Sequence, residues 1–169
     1  MPNKNNYIAF DLDFETINDF YKISQELSQK INNFVPFELE QIHMTVCFLG
    51  ELCKKIKTNK KQVFENLLFD INSQDMISTL QFDSLKLFGT KNNLVVAKFT
   101  ISKKEEKQII EFKKYCSNNY FAPDENYYTP HITLGKILYS SENDKINFDE
   151  LNITKPTCVK LGIVGMKLV

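Results

Sequence analysis

The sequence predicts an α+β domain of two pseudo-symmetric lobes, with a concave, mainly antiparallel sheet around a central groove and helices on its outer faces. Three observations lead there. Short β-prone runs and helical periods follow one another in the order βαβα–ββαββ. The motif His-apolar-Thr-apolar occurs twice, at 43–46 and at 131–134. At 169 residues, with 43% hydrophobic and 25% charged residues, the chain is sized for one domain with a sizeable core.

Residues 7–13 (Tyr-Ile-Ala-Phe-Asp-Leu-Asp) alternate as a strand does. From 16 to about 32, Ile17, Phe20, Ile23, Leu27 and Ile31 recur at steps of three and four and make one face of a helix. Glu15 favours that helix start through the N-terminal dipole. Residues 33–39, with Pro36, read as a loop whose Phe34 and Phe37 close the edge of the core. Residues 41–49 form the first motif strand. The lysine-rich stretch 54–61 reads as solvated chain leading into a helix over 59–73, with Val63, Phe64, Leu67, Leu68 and Ile71 inward. Residues 79–88 and 93–101 read as a hairpin across Gly-Thr-Lys-Asn-Asn. A third helix over 102–119 opens with Ser102 and Glu105 in capping-box spacing, and Ile109, Ile110, Phe112 and Tyr115 supply its apolar side. A turn-rich loop over 121–126 leads into the second motif strand, about 128–138. A short helix near 147–151 and a closing strand over 158–169 complete the chain, with Gly162 and Gly165 permitting a bulge or bend.

His43 and His131 are the only two histidines in the chain, and each has a threonine two residues on, Thr45 and Thr133. On a strand, residues i and i+2 share a face. Each motif therefore presents an imidazole and a hydroxyl side by side, with Met44, Val46, Ile132 and Leu134 packed behind. One histidine in an amphipathic strand is ordinarily structural or merely exposed. The same His-x-Thr twice, in a chain with no other histidine, is harder to dismiss. Two such strands around one small volume suit cleavage of a phosphodiester. A neutral imidazole removes a proton from the nucleophile, a protonated one supplies the leaving oxygen, and the hydroxyls donate to the non-bridging oxygens where charge develops. The sequence leaves open which histidine takes which part.

No metal or cofactor is expected. The four cysteines (Cys47, Cys53, Cys116, Cys158) lack metal-ligand spacing and read as reduced thiols. The 21 cationic residues are all lysine and balance 21 acidic ones, so the net charge is zero. That excludes a strongly basic nucleic-acid wrapper and leaves a small nucleotide or a short RNA end as partner. Without arginine there is no guanidinium fork for a phosphate, and imidazoles, hydroxyls, backbone amides or a lysine must serve. Lys136 is a candidate for phosphate contact, but by strand parity it points away from His131 unless the strand bulges. Tyr128, Phe88 and Phe48 are candidate faces for stacking a base. Core packing is the competing reading for each and the stronger one for Phe48. With neither a signal-peptide pattern nor an apolar run near ~18 residues, the expectation is a cytoplasmic monomer with no membrane and no obligate protein partner.

The two motifs resemble those of the two-histidine (2H) phosphoesterases. The likeness rests on Ile42-His43-Met44-Thr45-Val46-Cys47-Phe48-Leu49-Gly50 and on Pro130-His131-Ile132-Thr133-Leu134-Gly135. The Phe-Leu-Gly after the first motif, the Tyr-x-Pro before the second and the opening Tyr7-Ile8-Ala9-Phe10-Asp11-Leu12 add to it. In element order it spans nearly the whole chain, though only the motifs are specific. The resemblance implies a 2H phosphoesterase-like fold and a metal-independent phosphodiesterase. His43 and His131 would then be catalytic, with Thr45 and Thr133 on the phosphate. It also implies an aromatic near the end of the central hairpin, matched by Phe88, and one before the second motif, matched by Tyr128. Substrates of this kind are 2′,5′-linked oligoadenylate, a 2′,3′-cyclic phosphate or a cyclic dinucleotide. The competing reading is a nucleotide-binding module that uses the same pocket without turnover. A pure binder, however, has no need of both proton-transfer groups.

Overall fold

The computed structural model describes residues 6–50, 79–119, 126–138, 146–154, 158–160 and 164–167, together with the helical residues Glu65, Asn66 and Phe69. In chain order its elements are β1 (Asn6–Phe10), α1 (Phe14–Lys30), β2 (Phe34–Pro36), β3 (Met44–Gly50), β4 (Thr79–Phe88), β5 (Leu94–Thr100), α2 (Lys103–Asn119), β6 (His131–Ile137), β7 (Cys158–Lys160) and β8 (Val164–Lys167). Short 3₁₀ helices lie at Leu39–Gln41 and Phe148–Leu151.

The strands make two antiparallel sheets, β3-β1-β8 and β2-β6-β5-β4-β7. Each sheet borrows from the other end of the chain. Early β2 pairs with late β6, and β8 returns to pair with β1. The helices cross over as well: α1 packs on β2 and β6, whereas α2 packs on β3. One apolar core, running from Ile8 and Val46 through Phe20 and Phe99 to Leu134, joins both sheets. The one sheet expected from the sequence is thus two sheets joined through a common core.

Local chemistry sets the boundaries. Asp13 caps α1 by accepting from the Thr16 amide at 2.7 Å, so the helix begins at Phe14, two residues before the expected start. Phe20, Ile23, Ser24 and Leu27 form its buried stripe. At the start of α2 the Glu105 amide donates to Ser102 Oγ at 3.2 Å, and that hydroxyl donates to the Glu105 carboxylate at 2.6 Å. The β4–β5 turn places Gly89 at φ 94° and Asn92 at φ 49°, the left-handed region that these two residue types tolerate.

Further sequence expectations change. Residues 34–36, expected as loop, are an edge strand; Pro36 is tolerated there because an edge strand has a side on which no ladder donor is needed. The first motif strand begins at Met44 because a 3₁₀ turn occupies 39–41. The closing strand is divided between the two sheets as β7 and β8. Gly162 lies outside the described residues, as do Cys53 and most of the helix expected over 59–73. Among the described residues no helix is long and apolar enough to cross a membrane.

Candidate active site

The motif strands β3 and β6 lie against each other. His43 directly precedes β3, and His131 is the first residue of β6. Met44 and Ile132 are fully buried, while His43, Thr45, His131 and Thr133 stay partly exposed, as the alternation requires. Both strands then break register at the same place. On β3, Thr45 faces Ala9 and Cys47 faces Ile8, which leaves Val46 as an extra residue. On β6, Thr133 faces Val96 and Gly135 faces Val95, which leaves Leu134 extra. Each bulge falls on the residue after the motif threonine, bending the strand just past its hydroxyl. The freed Leu134 carbonyl accepts from Ser24 Oγ at 2.6 Å and from the Phe37 amide at 2.8 Å.

The imidazoles are held alike. His43 Nδ1 lies 2.7 Å from the Gln41 carbonyl oxygen and His131 Nδ1 lies 2.8 Å from that of Thr129, in each case two residues back. A carbonyl only accepts, so both Nδ1 atoms carry hydrogen, and Nε2 is the nitrogen available for proton transfer. The Gln41 carbonyl is set by the 3₁₀ turn, which the Gln41 amide closes onto the Glu38 carbonyl at 2.9 Å and the Glu38 amide onto Gln41 Oε1 at 2.8 Å. Pro130 restricts Thr129 to extended backbone. Tyr7 stacks on His43 at 4.7 Å between ring centroids, and Phe88 meets His131 edge-on at 5.0 Å. Burial holds the His131 pKa below the usual imidazole value. The nearby charges of His43 and Lys113 add to that lowering, against the opposing Thr129 hydrogen bond. The two imidazoles are therefore within electrostatic reach of each other.

Beside them is a cavity of about 370 Å³. Thr45, His131, Phe48, Phe88 and Tyr128 line it, whereas His43 and Thr133 do not. Phe48, for which core packing was the stronger expectation, is 47% exposed. The bulge is the reason: one extra residue at Val46 reverses the alternation, turning Cys47 into the core and Phe48 outward. Lys136 is exposed, paired with Val35 and Leu94, and outside the cavity wall.

Tyr128 is 7% exposed, and its hydroxyl donates to the Thr45 carbonyl at 2.8 Å, tying the approach to β6 onto β3. Burial pushes its phenol well above the usual range, so it remains a donor. Tyr128→Phe is expected to destabilise the fold by about 1 kcal/mol in urea unfolding. An unchanged midpoint would show that the bond contributes nothing.

Among the lining residues not anticipated from sequence are Tyr127 and Lys113. Tyr127 is 61% exposed beside the buried Tyr128. Lys113 is buried on α2, in one stripe with Ile109, Phe112 and Cys116. A lysine set within an apolar helical stripe was the sequence signal that could have found it. The buried thiols of Cys47 and Cys116 meet at the interface of β3 and α2, and their hydrogen bond, followed by burial, pushes Cys116 above the usual thiol range. Among the described residues no group of three or more His, Cys, Asp or Glu side chains is arranged to hold a metal ion.

By sequence, no protein-family model and no curated protein matches the chain. Solved structures do match. A phosphoesterase structure aligns with TM-score 0.61 at 16% identity, covering 94% of this chain and 84% of that one. Escherichia coli LigT complexed with 3′-AMP aligns with TM-score 0.61 at 14% identity, over 99% and 95% of the two chains. TT0787 of Thermus thermophilus aligns with TM-score 0.57 at 14% identity, over 96% and 83%. At such identities the likeness is one of fold, and the fold is the α+β, 2H phosphoesterase-like one that the two motifs led us to expect.

Proposed function

We propose that the protein is a phosphodiesterase that cleaves a small nucleotide or RNA-end phosphodiester with two histidines as acid and base. The observation that carries this reading is the duplicated geometry. Two His-x-Thr segments, each with its imidazole tied back through Nδ1 and a bulge after its threonine, stand on adjoining strands. That LigT, which shares the fold, holds 3′-AMP supports a nucleotide as the ligand here. The candidate substrates are 2′,5′-linked oligoadenylate, a 2′,3′-cyclic phosphate and a cyclic dinucleotide.

The lowered pKa of His131 favours its neutral form at pH 7 and suits it to the base role, with His43 as acid. His131 Nε2 removes the proton from the nucleophile as it attacks phosphorus. His43 Nε2 then supplies the departing oxygen. Thr45 and Thr133 donate to the non-bridging oxygens, where transition-state charge accumulates. The pH profile of kcat/KM should be bell-shaped, with an acid limb set by His131 below pH ~6.5. Stability follows the same proton. The unfolded imidazole protonates first as pH falls through ~6.5, so this group weakens the fold below that pH until the lower native pKa is passed. A rate that is flat from pH 5 to 8 would count against paired imidazoles.

The test is turnover of 2′,3′-cyclic AMP, 2′,5′-linked triadenylate and a mixed-linkage cyclic dinucleotide in EDTA. Cleavage of at least one, at a rate EDTA does not change, is expected. Activity lost to EDTA and restored by metal would point to a metallohydrolase. Binding without cleavage would make the protein a nucleotide sensor.

A further inference from the structure

Lys113 stands where α2 faces the core, with 6% of its surface exposed between Ile109, Phe112 and Cys116. Taking an ammonium out of water is costly, and an apolar residue on that stripe would avoid the cost. The side chain ends at the cavity. Its Nζ donates to the Tyr127 carbonyl at 3.3 Å and lies 5.9 and 5.6 Å from the ring centroids of Tyr127 and Tyr128. These contacts preorganise the ammonium, so little ordering is needed for it to meet a ligand.

The position of the cavity matters as much. Its wall includes Thr45 and His131 but neither His43 nor Thr133. The space therefore extends toward α2, to one side of the histidine pair that would hold the scissile phosphorus in the reaction proposed above. Along it lie the exposed rings of Phe48 and Tyr127, and Lys113 is the one lysine among the described lining residues.

We propose that Lys113 forms an anion subsite for a second phosphate, so that the preferred substrate carries a phosphate beyond the one being cleaved. This rests on the phosphodiesterase reading above and narrows its substrate class. The two His-x-Thr units already provide for the single charge of the scissile group. A lysine binds phosphate as a point charge and needs no fork geometry, which matters in a chain without arginine. A mononucleotide 2′,3′-cyclic phosphate offers this ammonium nothing further. A terminally phosphorylated oligonucleotide or the second bridge of a cyclic dinucleotide does.

The experiment measures binding without turnover, in the His43→Ala protein, by calorimetry. The ligands are 2′,5′-linked adenylyl-adenosine, unphosphorylated and with a 5′- or a 3′-terminal phosphate. At least one terminal phosphate should tighten binding about tenfold, as a charge-assisted contact does. Lys113→Met, which keeps the buried stem, should erase that gain, leaving no preference for a terminal phosphate. Lys113→Arg should retain the gain, and thermal melts of both variants report whether the fold is intact. If neither phosphate tightens binding, or if methionine weakens all ligands alike, the subsite is refuted. The phosphodiesterase reading fails separately: a wild type that cleaves nothing yet keeps the lysine-dependent gain has the subsite without the enzyme.

Discussion

Alanine at His131 is expected to lower kcat by about 10²–10⁴-fold, the usual contribution of one general acid or base. Alanine at His43 should cost a comparable factor. The double variant should be little worse than either single one, because groups that act in one proton relay lose their benefit together. The variants should differ in their pH profiles. With His131 gone, the acid limb it sets disappears; with His43 gone, the basic limb does. The structure gives each ring a second, structural attachment, Tyr7 stacked on His43 and Phe88 against His131, so a melting curve must accompany the kinetics. Activity within about tenfold of wild type in either single variant would be too small a loss for an acid or base and would leave that histidine a packing residue.

The site was legible in sequence to the extent that it obeys strand parity. Up to the threonine of each motif, alternation holds: Met44 and Ile132 are buried, and the imidazole and hydroxyl beside them are not. One residue later it fails twice in the same way, because a bulge is set by pairing across the sheet and leaves no mark in local composition. That single event explains why Phe48 faces the cavity. The edge strand β2 was missed for a related reason, since three residues are too few for a period and its pairing with β6 is a long-range event. The division of the last strand between two sheets is equally non-local. Lys113 was overlooked because lysine is ordinarily a surface residue and two lysines adjoin here, of which only Lys114 is exposed. By contrast, the helix cap at Ser102 and the turn at 89–93 are local chemistry, and the sequence placed both.

Gly135→Ala should be severe for a one-carbon change. Gly135 sits in β6 between Pro36 of β2 and Val95 of β5. A Cβ there would fall on the Phe34 ring and within 2.5 Å of the Val35 carbonyl oxygen. The ring has some freedom to tilt, but a strand carbonyl has none, so β2 must lift. Lifting β2 strains the Phe37 amide bond to the Leu134 carbonyl and the Leu138 amide bond to Asn33, both 2.8 Å, and these pin the bulged end of β6. Overpacking of this kind costs about 1–3 kcal/mol. In a chain of this size each kcal/mol lowers Tm by roughly 2–4 °C. Because Leu134 is the extra residue after Thr133, the same displacement should reduce turnover beyond what the lost stability explains. Gly89→Ala is the control: its φ of 94° makes any side chain strained, yet it lies in the β4–β5 turn and holds no part of the bulge. It should lower Tm modestly and leave kcat alone. If Gly135→Ala melts with the wild type, then β2 does not press on β6 as closely as described, and the bulge needs another support.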